Sequence, residues 1–240
     1  MISLKNIYKK FERKEVLHNI NLEFEQAKIS AILGPSGSGK TTLIRCINGL
    51  ESSDSGQILF NQKKITKKNQ SSYNKKIGMV FQNFNLFHHM NVLENLIYAP
   101  VSLKILSKEK AIEKADKILS DLGIGTKKDN MPSDLSGGQK QKVAVARSMM
   151  TNPEVIIFDE PTSALDPESI KDLVSIIEDL RKNITIIIVT HHLSFAKKLA
   201  DQIIFMDQGK ILCSQTTQDF FNNPASVRAK MFMESVGEYM

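Results

Sequence analysis

The sequence has only two cysteines, Cys46 and Cys213. They stand far apart and without CxxC spacing, which excludes a disulfide framework and a cysteine-based zinc site and fits a reducing cytosol. Apolar runs such as "VIIF" and "IIIV" fall far short of the roughly 20 residues of a membrane-spanning helix. The opening stretch "MISLKNIYKKFERK" lacks the apolar segment of a secretory signal. Repeats, low-complexity tracts and flexible interdomain linkers are also missing. If such a chain serves a membrane, it does so from outside the bilayer.

What is present is ordinary for a globular protein: 240 residues, 41% apolar and 24% charged, long enough for one large domain with a substantial core. The net charge of +6 permits nucleic acid, an anionic membrane surface or phosphate ligands as partners. The lysines, however, fall in scattered doublets (Lys63-Lys64, Lys67-Lys68, Lys127-Lys128, Lys197-Lys198), as solvated surface lysines do.

Strand-like patterns occupy "ISLKNIY", "EVLHNINLEF" and the short apolar "ISAILG", which runs into a glycine-rich loop. Helical spacing follows from Gly39, with Leu43, Ile47 and Leu50 on one face and a stop near Gly49. "GQILF" and "KKIGMVF" read as strands around a polar loop, 61–76. From Asn91 to about Met150 helical signals dominate. "NVLENLIYA" starts with Asn91 as N-cap and Glu94 three residues on, a capping-box spacing. Ser107 caps a helix whose apolar face is Ala111, Ala115, Ile118, Leu119 and Leu122, and Gly123 ends it. Then strands "EVIIF", "ITIIIVT" and "QIIFM" alternate with helices, one of them capped by Asp166 with Pro167 in its first turn. This order predicts an α/β fold: a P-loop core with a mainly parallel sheet, an N-terminal antiparallel β region and an inserted α-helical subdomain. The expected organisation is a single domain over 1–240, with its core at 1–82 and 153–215, a helical insertion at about 83–152 and a short helical tail at 216–240.

Four stretches carry chemistry. "GPSGSGKT" (34–41) matches G-x-x-x-x-G-K-[ST] after a strand and before a helix. Backbone N–H groups of Ser36, Gly37, Ser38, Gly39, Lys40 and Thr41 can wrap phosphates, with Thr42 next in the helix. Lys40 can neutralise the β and γ oxygens, and Thr41 can ligate Mg²⁺. "VIIFDEP" (155–161) ends an apolar strand in two acids. Beside a P-loop, Asp159 suits the Mg²⁺ shell and Glu160 can polarise an attacking water, which suggests hydrolysis rather than phosphoryl transfer to a bulky acceptor. His191 ends another core strand, where a γ-phosphate sensor would stand. "LSGGQ" (135–139) opens a helix with a Ser and two glycines, a start suited to an anion. It raises the question of why one chain has two phosphate cradles.

Together with Gln82, "SALD" (163–166) and "VTH" (189–191), these motifs occur in the order and spacing of the ATP-binding subunit of ATP-binding cassette (ABC) transporters, which the whole chain resembles. The resemblance implies that ATP and Mg²⁺ are the cofactors and that Glu160, His191 and Gln82 are catalytic, with Gln82 contacting Mg²⁺ or the water alongside Thr41 and Asp159. It places Phe11 and Val16 at the adenine. It implies a homodimer in which Ser136, Gly137, Gly138, Gln139 and Asp166 of one chain meet ATP held by the other, which would explain the two cradles.

"VFQNFNLFHHMNVLENLIYAP" (80–100) and "DFFNNPASVRAKMF" (219–232) resemble the polar amino acid uptake branch, which implies separate permease subunits, a solute-binding protein outside and a place on the cytoplasmic face of the plasma membrane. The chain departs from that pattern at Glu12, where Gly is common, His88 for Pro, Lys142 for Arg and His192 for Glu. Within "FNLF" (84–87), Phe84 and Phe87 suit either the core of the helical block or a permease-docking loop. Nucleic acid is not an expected partner. Only residues 42–134 separate the P-loop from "LSGGQ", too few for the long coiled coil of repair proteins, and one cassette is present where translation factors of this type carry two. ATPase subunits for lipoprotein release, cell division or metal uptake share these motifs.

Overall fold

The computed structural model of the chain describes residues 2–12 and 14–236. An antiparallel hairpin, β1 (Ile2–Phe11) and β2 (Lys14–Phe24), comes first. Strand β3 (Ile29–Leu33) leads through the glycine-rich loop into α1 (Lys40–Asn48). Strands β4 (Ser55–Phe60) and β5 (Lys63–Lys64), helix α2 (Gln70–Asn74) and strand β6 (Ile77–Val80) follow. A helical block contains α3 (Val92–Ser102), α4 (Lys108–Asp121) and α5 (Gly137–Met149). The chain continues through β7 (Val155–Asp159), α6 (Pro167–Leu180), β8 (Thr185–Val189), α7 (Leu193–Leu199), β9 (Gln202–Asp207) and β10 (Lys210–Thr216), and then helices α8 (Thr217–Asn222) and α9 (Val227–Val236). The last four positions of the expected tail, 237–240, lie outside the described residues.

Two sheets form. The N-terminal one runs β2-β1-β4-β5 and is antiparallel. The central one runs β10-β9-β3-β8-β7-β6, parallel except for β10 on β9. Strands β3, β7 and β8 are buried along their whole length, as continuous apolar runs in a covered parallel sheet should be. Alternate residues serve opposite cores: Ile156, Phe158, Ile186 and Ile188 pack with the helical block and α6, whereas Val155, Ile157, Ile187 and Val189 pack with α1 and the antiparallel sheet.

Strands β6 and β7 pair directly, Ile77 opposite Val155, although the helical block separates them in sequence. The block is therefore an insertion between neighbouring strands. Because β3, β6, β7 and β8 are parallel, the residues that follow them (the glycine-rich loop, Gln82, Glu160 and His191) emerge along one sheet edge.

Two local readings need correction. The predicted polar loop 61–76 contains β5 and the short α2, because one aromatic among its polar residues anchors it. Tyr73 is buried, donates its hydroxyl to the Ile47 carbonyl at 2.9 Å, and meets Phe60 edge-on at 5.2 Å. Helix α3 also runs past Ala99 through Pro100 to Ser102. Pro100 is buried, and its carbonyl accepts from the Ile105 and Leu106 N–H groups, so the chain closes a turn beyond the proline.

Candidate active site

The sheet edge opens into a cavity of about 600 Å³ lined by residues 34–42, Val16, Gln82, Glu160, His191 and Phe232. Its floor is the loop between β3 and α1. Gly39, the residue before α1, has φ +102, and a Cβ there would stand 2.9 Å from the Val16 carbonyl oxygen, so only glycine lets β2 approach this closely. Helix α1 begins without any side-chain cap, which leaves its first N–H groups directed at the cavity mouth as anion donors.

Lys40 is 7% exposed, and its Nζ donates to the carbonyls of Gly34 (2.8 Å) and Pro35 (2.9 Å). Burial pushes its ammonium below the usual lysine range, while the Glu160 and Asp159 carboxylates pull the other way. Thr41 Oγ1 donates to Asp159 Oδ1 at 3.4 Å. Asp159 is buried at the end of β7. Burial and the neighbouring Glu160 carboxylate raise it above the usual aspartate range, opposed by Thr41, Arg45 and Lys40.

Glu160 adopts φ +48, a left-handed backbone that costs a non-glycine residue energy and that functional sites commonly contain. Its neighbours fix it there. The Glu160 N–H donates to the Val189 carbonyl at 2.8 Å, and its own carbonyl accepts from Ser163 N (3.3 Å) and Ser163 Oγ (3.0 Å). The side chain thereby reaches the cavity, where Oε2 stands 2.8 Å from His191 Nδ1. His192 stacks beside His191 with ring centroids 4.3 Å apart, and its N–H donates to Thr190 Oγ1 at 3.1 Å.

The donor set fits a hard divalent cation. Thr41 and Asp159 present oxygen ligands, and no cluster of three His, Cys, Asp or Glu among the described residues could hold a metal. A cation here would take its other ligands from phosphate and water, as Mg²⁺ does.

Of the predicted nucleotide residues, the structure joins Val16 and 36–42 in one cavity with Gln82, Glu160 and His191, with Asp159 hydrogen-bonded to Thr41. Phe11 is not on that cavity's wall. It is 44% exposed, with Lys9 Nζ 4.9 Å above its ring. Glu12, next to it, has φ +53, a conformation that explains a glycine preference at that position.

"LSGGQ" forms a second, smaller cavity of about 310 Å³ with Asp166, Ser169 and Asp172. Ser136 caps α5: its Oγ accepts from the Gln139 N–H at 3.3 Å, and Gln139 Oε1 accepts from the Ser136 N–H at 3.0 Å. Gly137 and Gly138 face the start of α6. A Cβ on Gly138 would stand 2.3 Å from Ser169 Oγ, and one on Gly137 would stand 3.1 Å from the Ala164 carbonyl oxygen. Asp166 caps α6 by accepting from Ser169 N (2.8 Å) and Ser169 Oγ (3.1 Å). Lys142 Nζ stands 2.8 Å from Asp172 Oδ2, joining the same two helices.

Two residues at these sites escaped sequence reasoning. Phe232 comes from the tail, where the sequence showed only a short helical stretch and a family resemblance. Arg147, on α5, donates to the carbonyls of Asn85 (2.7 Å) and Phe84 (2.9 Å) and so ties the "LSGGQ" helix to the segment after Gln82. Phe84 is partly buried against the core, whereas Phe87 is exposed, with its ring 5.5 Å from that of Tyr98.

A glycine loop between strand and helix, with a buried strand-end aspartate beside it, defines a P-loop nucleotide-binding protein. The ABC transporter family pattern matches residues 17–163. The arginine transport ATP-binding protein ArtM of Bacillus subtilis is 45% identical over 239 residues, covering 98% of this chain and all of that protein. The glutamine transport ATP-binding protein GlnQ of the same organism is also 45% identical, covering 98% and 99%. Among solved structures, a nucleotide-free ATP-binding cassette superposes with TM-score 0.87 at 29% identity, covering 97% and 98%. A dimeric cassette in a post-hydrolysis state bound to ADP and Pi gives 0.81 at 30% identity, covering 90% and 99%. The chain belongs to the ABC transporter family. It is an ATPase cassette, and no helix among the described residues is long and apolar enough to cross a membrane.

Proposed function

We propose that this chain is the energy-coupling subunit of an importer for polar amino acids. Its core spans 1–82 and 153–215, its helical subdomain about 83–152 and its tail 216–240. The observation that carries the hydrolytic reading is the Glu160–His191 pair at 2.8 Å, held over the cavity that contains Lys40 and Thr41. Residues 36–42 bind the phosphates through backbone N–H groups, and Lys40 swings from the Gly34 and Pro35 carbonyls to the β and γ oxygens. Thr41 and Asp159, with Gln82, would hold Mg²⁺, which would supply positive charge against the charge that develops on the phosphates. Glu160 accepts a hydrogen bond from the attacking water and polarises it, and His191 orients Glu160 and faces the γ-phosphate. Val16 and Phe11 flank the base, with Phe11 moving onto it as nucleotide enters.

The relatives' names, with arginine and glutamine transport among them, support the amino acid reading. The dimeric cassette supports a head-to-tail homodimer in which Ser136, Gly137, Gly138, Gln139 and Asp166 of one chain complete the site of the other, an isologous arrangement. Permease subunits dock at the apolar loop 84–87, on the cytoplasmic face of the plasma membrane, and a solute-binding protein serves them from outside.

Glu160→Gln tests this reading. The variant should bind ATP normally and dimerise stably with ATP and Mg²⁺, while steady-state hydrolysis falls about 100-fold or more. Near-normal turnover would overturn the assignment of Glu160.

A further inference from the structure

One wall residue of the P-loop cavity comes from the C-terminal tail. Phe232 of α9 is 7% exposed, and its ring centroid lies 5.3 Å from that of Phe205 on β9. Phe205 also meets Phe220 of α8 at 6.3 Å and pairs in register with Leu33, the residue before the phosphate loop. The next two residues of β9 continue the link. The Met206 carbonyl oxygen crowds Gly34, where a Cβ would stand 2.0 Å away. Asp207 Oδ2 accepts from Arg228 Nε, in the first turns of α9, at 2.7 Å. In the turn after β9, the Gly209 N–H donates to the Ser38 carbonyl at 3.0 Å. Strand β9 and its turn thus touch the tail on one side and both ends of the phosphate loop on the other.

We propose that Phe232 is a positioning residue for nucleotide binding. With Phe205 it clamps β9, and through Met206 and Gly209 it fixes the loop whose N–H groups must converge on the phosphates. The inference rests on the P-loop reading above. Close-packed interiors transmit small displacements, and phosphate loops bind through several donors at once. Removal of the ring should therefore loosen the loop and not merely lower stability.

The test uses full-length Phe232→Ala and Phe232→Leu, measuring equilibrium binding of ATP with Mg²⁺, KM, kcat per folded molecule and Tm on the same preparations. The dissociation constant and KM should both rise about tenfold in Phe232→Ala, more than kcat falls, with most of the change reversed in Phe232→Leu. A lower Tm with unchanged affinity and KM would reduce Phe232 to a core residue and overturn the proposal. Should Phe232→Ala fail to fold, Arg228→Ala releases the same helix at its exposed end. It should weaken ATP binding by about threefold, and unaltered affinity there would overturn the proposal as well. A wild-type chain that bound no ATP would overturn the P-loop reading together with this one. Normal wild-type binding beside an unshifted variant would overturn this one alone.

Discussion

Helices α1 and α5 both begin at small residues suited to an anion, and their first turns are finished differently. Helix α1 starts at Gly39 with no side-chain cap, so its N–H groups remain available to a ligand. Helix α5 starts at Ser136 with a closed capping box, so the Gln139 N–H is already satisfied and Gly137 and Gly138 hold the remaining free donors. The surroundings differ as well. The first cavity has Lys40, Asp159, Glu160 and His191 on or beside it, whereas the second has Lys142, Asp166, Glu168, Ser169 and Asp172 on its wall, where Asp166 caps α6 by accepting from Ser169 and Asp172 pairs with Lys142. One site has the groups for chemistry. The other has a preformed rim without such groups, and under the proposed head-to-tail pairing it would complete the site of a second chain.

The largest difference between the sites is expected from Glu160→Gln, because the α5 cavity contains no comparable acid–histidine pair. A subtler test concerns Gly138. Its glycine could serve phosphate approach, as the sequence suggests, or the close contact with Ser169 that the structure shows. Gly138→Ala should lower ATPase activity by about tenfold, and Ser169→Gly in the same chain should restore part of it by making room for the added methyl. Absence of any rescue in the double variant would assign Gly138 to phosphate approach alone.

The smallest expected effect concerns Asp159. Its native pKa is raised, so the ligand-free fold holds this proton more tightly than the unfolded chain does. Stability is therefore lost as pH rises from the unfolded-state value through the raised native value, and the cost persists at neutral pH. Asp159→Asn keeps an acceptor for Thr41 and removes the buried charge. It should raise the ligand-free Tm at pH 7 by about 2–4 °C, with a smaller gain at pH 4, and should abolish the additional stabilisation that Mg²⁺ gives with ATP. An unchanged or lower ligand-free Tm would show that Asp159 is not held against its charge.

Much of this was legible in the sequence because the informative patterns are local. Asn91, Ser107 and Asp166 are capping residues by type and spacing, and each caps the helix expected; the helix expected after "LSGGQ" also forms, with Ser136 as its cap. The runs "ISAIL", "VIIFD" and "TIIIV" read as buried strands and are so in the structure, and the residues after them mark the sheet edge. What the sequence concealed depends on tertiary contact. The anchoring of loop 61–76 by Tyr73 is invisible among lysines and asparagines. Phe232 lies in a short helical stretch of the tail, and nothing local says that β9 connects it to the phosphate loop. Arg147 reads as one more helix cation until Phe84 and Asn85 fold under it.

The central claim, that α5 of one chain completes the P-loop site of another, is tested most directly by mixing two defective chains. Lys40→Ala keeps a sound α5 rim, and Ser136→Arg keeps a sound P-loop. Each homodimer has two half-broken sites and should lose about 100-fold or more in rate. The mixed dimer has one intact site and one doubly broken site, so mixing should recover ATPase activity well above either parent, together with ATP-dependent dimerisation. Full-rate hydrolysis and normal dimerisation by Ser136→Arg alone would contradict the account.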